Sequence, residues 1–496
     1  MSNLFATKPL ERILAEAEGA GEHATLKRTL SAASLIALGI GAIIGAGLFV
    51  RTAAAIAERA GPSVTLAFLV AGLGCAFAGL CYAEFSSMIS IAGSAYTYSY
   101  ATMGEFVAWI IGWDLCLEYA VGAATVSIAW SEYFNKVLEY LGMHVPYQWC
   151  HSPFETSAAG VTGIMNVPAV VILFFLSALL VRGMQESAFV NSLIVITKVT
   201  IVLMVIVIGW GFMNPANHTP YIPEATTYTT AQGVTHPYGG IMGILGAAGV
   251  VFFAFIGFDA VSTAAQEAKN PKRDMPIGIL GSLVVCTVLY VLFSHVLSGV
   301  ATVEDFRTAG KEASVAFAIS KYMTGYEWLS KFVTIAILAG FSSVILVMLM
   351  GQSRVFFSMS HDGLVPKVFS ELHPAYRTPW KANILFFVFT SAFAAFLPES
   401  IVGEMTSIGT LFAFMLVCAG VWIMRVRRPD IVRGFTVPAL PVVAVLGIVV
   451  CGAMIYGLGW TNWLRLAVWL AIGLCIYFGY SRNHSRLNRP TSAKPR

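Results

Sequence analysis

Charge is what this chain has least of. Of its 496 residues 11% are Asp, Glu, Lys or Arg and 57% are hydrophobic, where a soluble domain carries about 25% charged residues. The mean hydropathy is +0.76. A water-soluble globular protein is excluded; a polytopic membrane protein whose apolar surface faces lipid is what remains. Eight cysteines, seven in apolar segments and Cys150 alone in a loop, offer neither a disulfide framework nor metal-ligand spacing. A cleavable signal peptide is not expected. The first 30 residues, with Lys8, Arg12, Glu16, Glu18, Lys27 and Arg28, lack an apolar core and a small-residue cleavage site. An enzyme finds no support, since there is no nucleophile–base pair, metal cluster or phosphate loop. No cofactor is called for, and nucleic acid is not an expected partner.

What is present is apolar sequence in long runs. Stretches able to span a bilayer fall at about 33–57, 63–90, 105–135, 166–183, 187–213, 240–266, 275–299, 327–356, 382–397, 403–424, 439–458 and 461–480, which predicts twelve spans. With both termini in the cytoplasm, 21 of the 30 Lys and Arg fall on the inner side and eight on the outer, and Lys198 lies within a span. That bias follows the positive-inside rule and points to a multi-pass protein of the cell inner membrane. The loops around 136–165 and 214–239, rich in Pro, Thr, Tyr, His and Gly, read as solvated connections.

The first span, LIALGIGAIIGAGLFVR from Leu35 to Arg51, holds Gly39, Gly41, Gly45 and Gly47 within nine residues. Each glycine costs a helix about 1 kcal/mol relative to alanine, so the cluster invites unwinding. Small-residue spacing also serves close helix packing. The sixth span, five spans later, repeats the feature with Gly243, Gly246, Gly249 and Gly257, followed by Asp259. A break at corresponding places in two five-helix halves is the sequence pointer to an inverted repeat with a binding site between its halves. Unwound backbone at membrane depth is tolerated only where it is buried in protein or lines a cavity.

Six stretches, in order, carry a resemblance. They are GIGAIIGAGLFV with 41–50 at its core, AGSAYTYSYATMGE (92–105), GWDLCLEY (112–119), FFAFIGFDAVST (252–263), EAKNPKRDMPIGI (267–279) and GQSRVFFSMSHDGLVP (351–366). Over about residues 30–480 the chain resembles the amino acid–polyamine–organocation superfamily, and within it the cationic amino acid transporter branch and its bacterial members. The resemblance implies an all-α membrane fold of the leucine-transporter type, with twelve transmembrane helices of which the first and sixth are broken. A cytoplasmic segment (1–32) would precede two inverted five-helix repeats (33–213 and 240–424), followed by two peripheral helices (439–480) and a cytoplasmic tail (481–496). It also implies proton-coupled uptake of small neutral or cationic L-amino acids by alternating access. The alternatives are a proton-independent amino acid or polyamine exchanger, or a membrane sensor that binds amino acids without moving them. Expected partners are the amino acid, protons and the bilayer; a small accessory membrane helix is a further candidate.

The resemblance assigns the substrate carboxylate to the backbone amides of Gly45, Ala46 and Gly47. Free N–H groups and a positive dipole end at a half-helix N-terminus suit an anion. The ammonium is assigned to the carbonyls of Ile43, Phe253, Ala254 and Ile256, and the aromatic lid to Phe253 or Phe255. Lys198 is placed where sodium-coupled relatives hold an ion, in contact with span-one carbonyls. Burial disfavours a charged ammonium, which makes Lys198 a candidate proton carrier. Glu118 matches the family's span-three acid and is a candidate to exchange a proton or to pair with Lys198 through water, with Asp114 one turn away as a structural residue. Asp259 is expected to take part in proton coupling and to tie span six to span one. Bacterial members often have a threonine at the position of Ala46, whose hydroxyl would have made that link directly. Met348 is a candidate for the side-chain pocket, Glu84 a candidate gate acid with Arg273 and Arg354 as partners, and His295 a core residue.

Overall fold

The computed structural model describes residues 4–9, 30–88, 94–157, 159–183, 188–230, 233–263, 268–308 and 314–487. Arg12, Glu16, Glu18, Lys27 and Arg28, named above, lie outside them.

The chain is helical where the apolar runs fall. Among the described residues eight helices are long and apolar enough to cross a membrane, and four shorter apolar helices accompany them. We number the principal helices α1 Ala32–Ile43, α2 Val64–Met88, α3 Glu105–Cys116, α4 Gly122–Tyr140, α5 Val167–Val181, α6 Ala188–Gly209 and α7 Gly240–Val251. They continue with α8 Pro271–Val300, α9 Glu327–His361, α10 Trp380–Phe396, α11 Glu399–Arg427, α12 Leu440–Leu458 and α13 Trp460–Ile476.

Local chemistry sets many of the ends. Ser31 caps α1 by accepting from the Ser34 N–H, and Asn166 caps α5 by accepting from Ala169. Pro271 opens α8, where its missing N–H costs nothing. Gly459, at φ 92°, divides α12 from α13. Gly61, at φ 55°, separates the helical segment after the first break from α2.

The bundle has two distinct ends. One carries a two-stranded antiparallel hairpin, Thr226–Thr229 paired with Thr235–Tyr238. The 214–239 connection is therefore ordered and docked, with the Gly239 N–H donating to the Arg59 carbonyl at 2.8 Å. At this hairpin end Arg51 pairs with Glu399 at 3.0 Å, and Arg59 and Arg465 both pair with Glu404. The other, terminal end holds residues 4–9 against the start of α3. The amides of Glu105 and Phe106 donate to the carbonyls of Ala6 and Leu4. There the Lys8 ammonium donates to Asp362 at 2.6 Å, and the Tyr96 hydroxyl donates to the same carboxylate at 2.7 Å.

Candidate functional site

Two interruptions meet at the centre of the bundle. The first follows α1: Ile44 turns to an extended ψ of 105°, and a π-helical segment, Gly47–Arg51, begins three residues later. The second follows α7: a 3₁₀ turn, Phe252–Phe255, leads to Ile256 at ψ 133° and Gly257 at φ 114°. Gly257 holds a positive φ that disfavours side chains. Gly47 is small for a different reason. A Cβ there would stand 2.1 Å from the Ala254 Cα, so backbone lies directly on backbone. A Cβ on Gly257 would likewise stand 2.9 Å from the Ala42 carbonyl oxygen.

Each break exposes backbone groups that a continuous helix would have used. At the first break the amides of Leu48 and Phe49 both turn to the Gly45 carbonyl, at 3.2 and 3.4 Å, in place of the regular helical ladder. All eight residues named for the cradle, Ile43, Gly45, Ala46, Gly47, Phe253, Ala254, Phe255 and Ile256, are buried, and the two breaks bring them together. Phe255 is packed between Phe68 and Tyr290, with ring centroids 6.3 and 5.2 Å away.

The residue that joins the breaks is Tyr290 of α8. Its hydroxyl oxygen is 3.0 Å from the Ile43 carbonyl and 2.9 Å from the Ala254 carbonyl. A tyrosine has one proton to donate, so it serves these two acceptors only in turn. A lone tyrosine in an apolar run gave no sequence signal for this. Met348 meets Gly122 and Thr406 from two other helices: a Cβ on Gly122 would stand 3.3 Å from both the Met348 sulfur and the Thr406 methyl.

The buried charges fall into two groups. The Lys198 ammonium donates to the Gly41 carbonyl at 2.7 Å, and its stem lies against Gly340. Glu118 neighbours Asp259 and Asp114 instead. The Asp259 carboxyl lies within hydrogen-bonding reach of it, whereas the Asp114 carboxyl has no hydrogen-bond partner among the described residues. Asp259 accepts from the Tyr119 hydroxyl at 2.5 Å, which ties it to span three. Glu118 and Tyr119 sit on a π-helical turn, Leu117–Val121, between α3 and α4; such turns are frequent at functional sites.

Two expectations need correction. Glu84 pairs with Arg425 and Arg433, and accepts from the Val437 N–H at 2.8 Å, rather than meeting Arg273 or Arg354. His295 is half-buried among Trp210, His218 and Tyr221 at the hairpin end, because its helix face there meets the 210–221 connection. A cavity of about 590 Å³ at the hairpin end reaches down to Val50 and Ala54, with Glu399 and Arg307 on its walls.

Two helix breaks facing one another inside a bundle of apolar helices define a membrane transporter, and comparison with known proteins is in accord. The amino acid permease family matches residues 30–479, and the chain belongs to it. It is 42% identical to the branched-chain amino acid permease BcaP of Bacillus subtilis, over 98% of this chain and 99% of that protein. It is 38% identical to the methylthioribose transporter of the same organism, over 99% of this chain and all of that protein. Cationic amino acid transporter 9 of Arabidopsis thaliana, described as chloroplastic, is 37% identical over 81% of this chain and 67% of its own length. The chain is thus a multi-pass membrane permease, not an enzyme.

Proposed function

We propose that the protein imports small neutral L-amino acids together with protons, by alternating access across the inner membrane. In this reading the chain crosses the bilayer twelve times, with both termini in the cytoplasm and the terminal end inward. Residues 33–213 and 240–424 form two inverted five-helix repeats, and 439–480 add two peripheral helices. The observation that carries the proposal is the juxtaposition of the two breaks, Gly47 on Ala254, with Tyr290 shared between Ile43 and Ala254.

The substrate carboxylate takes the amides of Gly45, Ala46 and Gly47, at the positive end of a half-helix. The ammonium takes the carbonyls of Ile43, Phe253, Ala254 and Ile256. Because one hydroxyl proton serves two oxygens, one of them is always short of a donor until the ammonium arrives. Phe253 closes over the substrate as its lid, since Phe255 is committed to packing. Gly122, Met348 and Thr406 surround the substrate side chain; none carries a charge, which supports a neutral substrate, and the name of the Bacillus permease BcaP points the same way.

Lys198 holds the Gly41 carbonyl from one side while Glu118 and Asp259 form an acidic pair on the other. A proton shared between two adjacent carboxyls makes a hydrogen bond that two bare carboxylates cannot make. Tyr119 supplies the hydroxyl contact to Asp259 that Ala46 lacks. Proton movement on Lys198 or the pair then changes the grip on the half-helix ends and selects the inward or outward arrangement.

The test is uptake into proteoliposomes of radiolabelled L-leucine, L-alanine and L-arginine, with and without an inward proton gradient. Leucine or alanine accumulates and a protonophore abolishes it, while Lys198→Met keeps counterflow exchange but loses the response to the gradient. An unchanged pH response in Lys198→Met defeats the coupling scheme. Accumulation without any gradient dependence favours the exchanger, and binding without accumulation favours the sensor.

A further inference from the structure

A second cavity, about 690 Å³, lies at the terminal end between the start of α8 and the loop after α11. That volume is within the range of about 300–1,000 Å³ common for ligand pockets. Its mouth is formed by Lys272 and Arg273, both exposed, and its wall by Pro276, Ile277, Leu280 and Gly281, with Phe435 of the loop opposite. Neither cation has an ion-pair or hydrogen-bond partner for its side chain among the described residues. The nearby acid, Asp274, is buried and accepts from the Asn270 N–H at 3.1 Å. Arg433, next to the loop wall, is paired with Glu84. The mouth is therefore net positive. The first turn of α8, a thirty-residue helix, adds its positive dipole end.

We propose that this groove binds an anionic glycerophospholipid, its phosphodiester at Lys272 and Arg273 and one acyl chain along α8. The charges select the headgroup, since basic pockets between transmembrane helices on the cytoplasmic side hold acidic lipids. The shape selects a lipid over a soluble phosphate. Beneath the cations the wall is apolar, and it runs on into the exposed stripe of Ile277, Val284 and Val288 on the same helix. A soluble anion would touch only the rim. The back of the groove is the first half-helix: a Cβ on Gly281 would stand 2.9 Å from the Ile36 side chain. A bound lipid therefore sits against α1, the element that ends at the first break. The proposal rests on α8 spanning the bilayer with its start at the inner leaflet; it does not depend on the substrate or on proton coupling.

The test is native mass spectrometry of the full-length protein in detergent, with phosphatidylglycerol, phosphatidylethanolamine and phosphatidylcholine of identical chains. Wild type retains phosphatidylglycerol over the other two by roughly thirtyfold, the scale of two interfacial cations. Lys272→Gln with Arg273→Gln removes that preference, keeps the basal retention of the neutral lipids, and leaves thermal unfolding unchanged because both side chains are exposed. Lys269→Gln, an exposed cation outside the groove, keeps the preference. Chain-free glycerophosphoglycerol does not displace the lipid. The proposal is overturned if the double variant keeps the preference, if Lys269→Gln loses as much, or if the chain-free headgroup competes as well as the lipid. None of these readouts involves transport, so their failure is separate from a failure of the transport scheme.

Discussion

Tyr290 carries a single hydroxyl proton and faces two buried carbonyl oxygens, so the backbone at the breaks is under-supplied with donors. Leaving a buried acceptor unpaired costs about 1–3 kcal/mol. Tyr290→Phe removes the one donor there and is expected to lower the thermal unfolding temperature in detergent. A saturating amino acid should then raise that temperature by more than it does in wild type, because its ammonium supplies the missing donors. An equal or smaller substrate-induced rise would remove Tyr290 from the site. At the same scale, Lys198→Met is expected to separate counterflow from gradient-driven uptake, because the ammonium is bonded to Gly41 within the half-helix that must move.

At the scale of elements, the breaks exist because glycine serves two different needs. Gly257 adopts a backbone conformation unfavourable to other residues, and Gly47 leaves room for another backbone. Gly47→Ala therefore forces the two breaks apart. Overpacking of this kind costs about 1–3 kcal/mol, and here it falls on the proposed carboxylate amides. We expect the variant to insert in the membrane yet to lose uptake and the substrate-induced thermal shift. Adding Ala254→Gly should not restore either one, since it removes the methyl group, at 2.6 Å, but leaves the Ala254 Cα and N in the way at 2.1 and 2.5 Å. Rescue by the double variant would show that side-chain volume, not backbone approach, sets the crossing.

For the whole molecule, each end of the bundle is held by buried polar pairs. Arg51–Glu399 and Arg59–Glu404 close the hairpin end. Lys8–Asp362, with Tyr96, and the Glu84 cluster close the terminal end. In the proposed alternating-access cycle each set parts in turn. Removing one member of a buried pair costs about 3–5 kcal/mol, so Asp362→Asn should lower the unfolding temperature clearly. Lys8→Met added to Asp362→Asn should cost little more, because the two changes break one contact. Additive losses would show that the N-terminal segment is held by something other than this pair.

Much was legible in the residues alone. Low charge and long apolar runs determined a membrane bundle, since backbone in lipid must have its hydrogen bonds made internally, as a helix makes them. Two glycine clusters five spans apart marked where the helices give way, because backbone freedom is a local property of the residue. Contacts between distant helices were another matter. That Tyr290 spans both breaks, that Tyr119 reaches Asp259, and that Glu84 takes Arg425 and Arg433 instead of Arg273 depend on how helices rotate and pack. Nothing in a tyrosine or arginine within its own helix names its partner. Only tertiary packing decides which polar tips converge, and it left Lys272 and Arg273 facing an open groove.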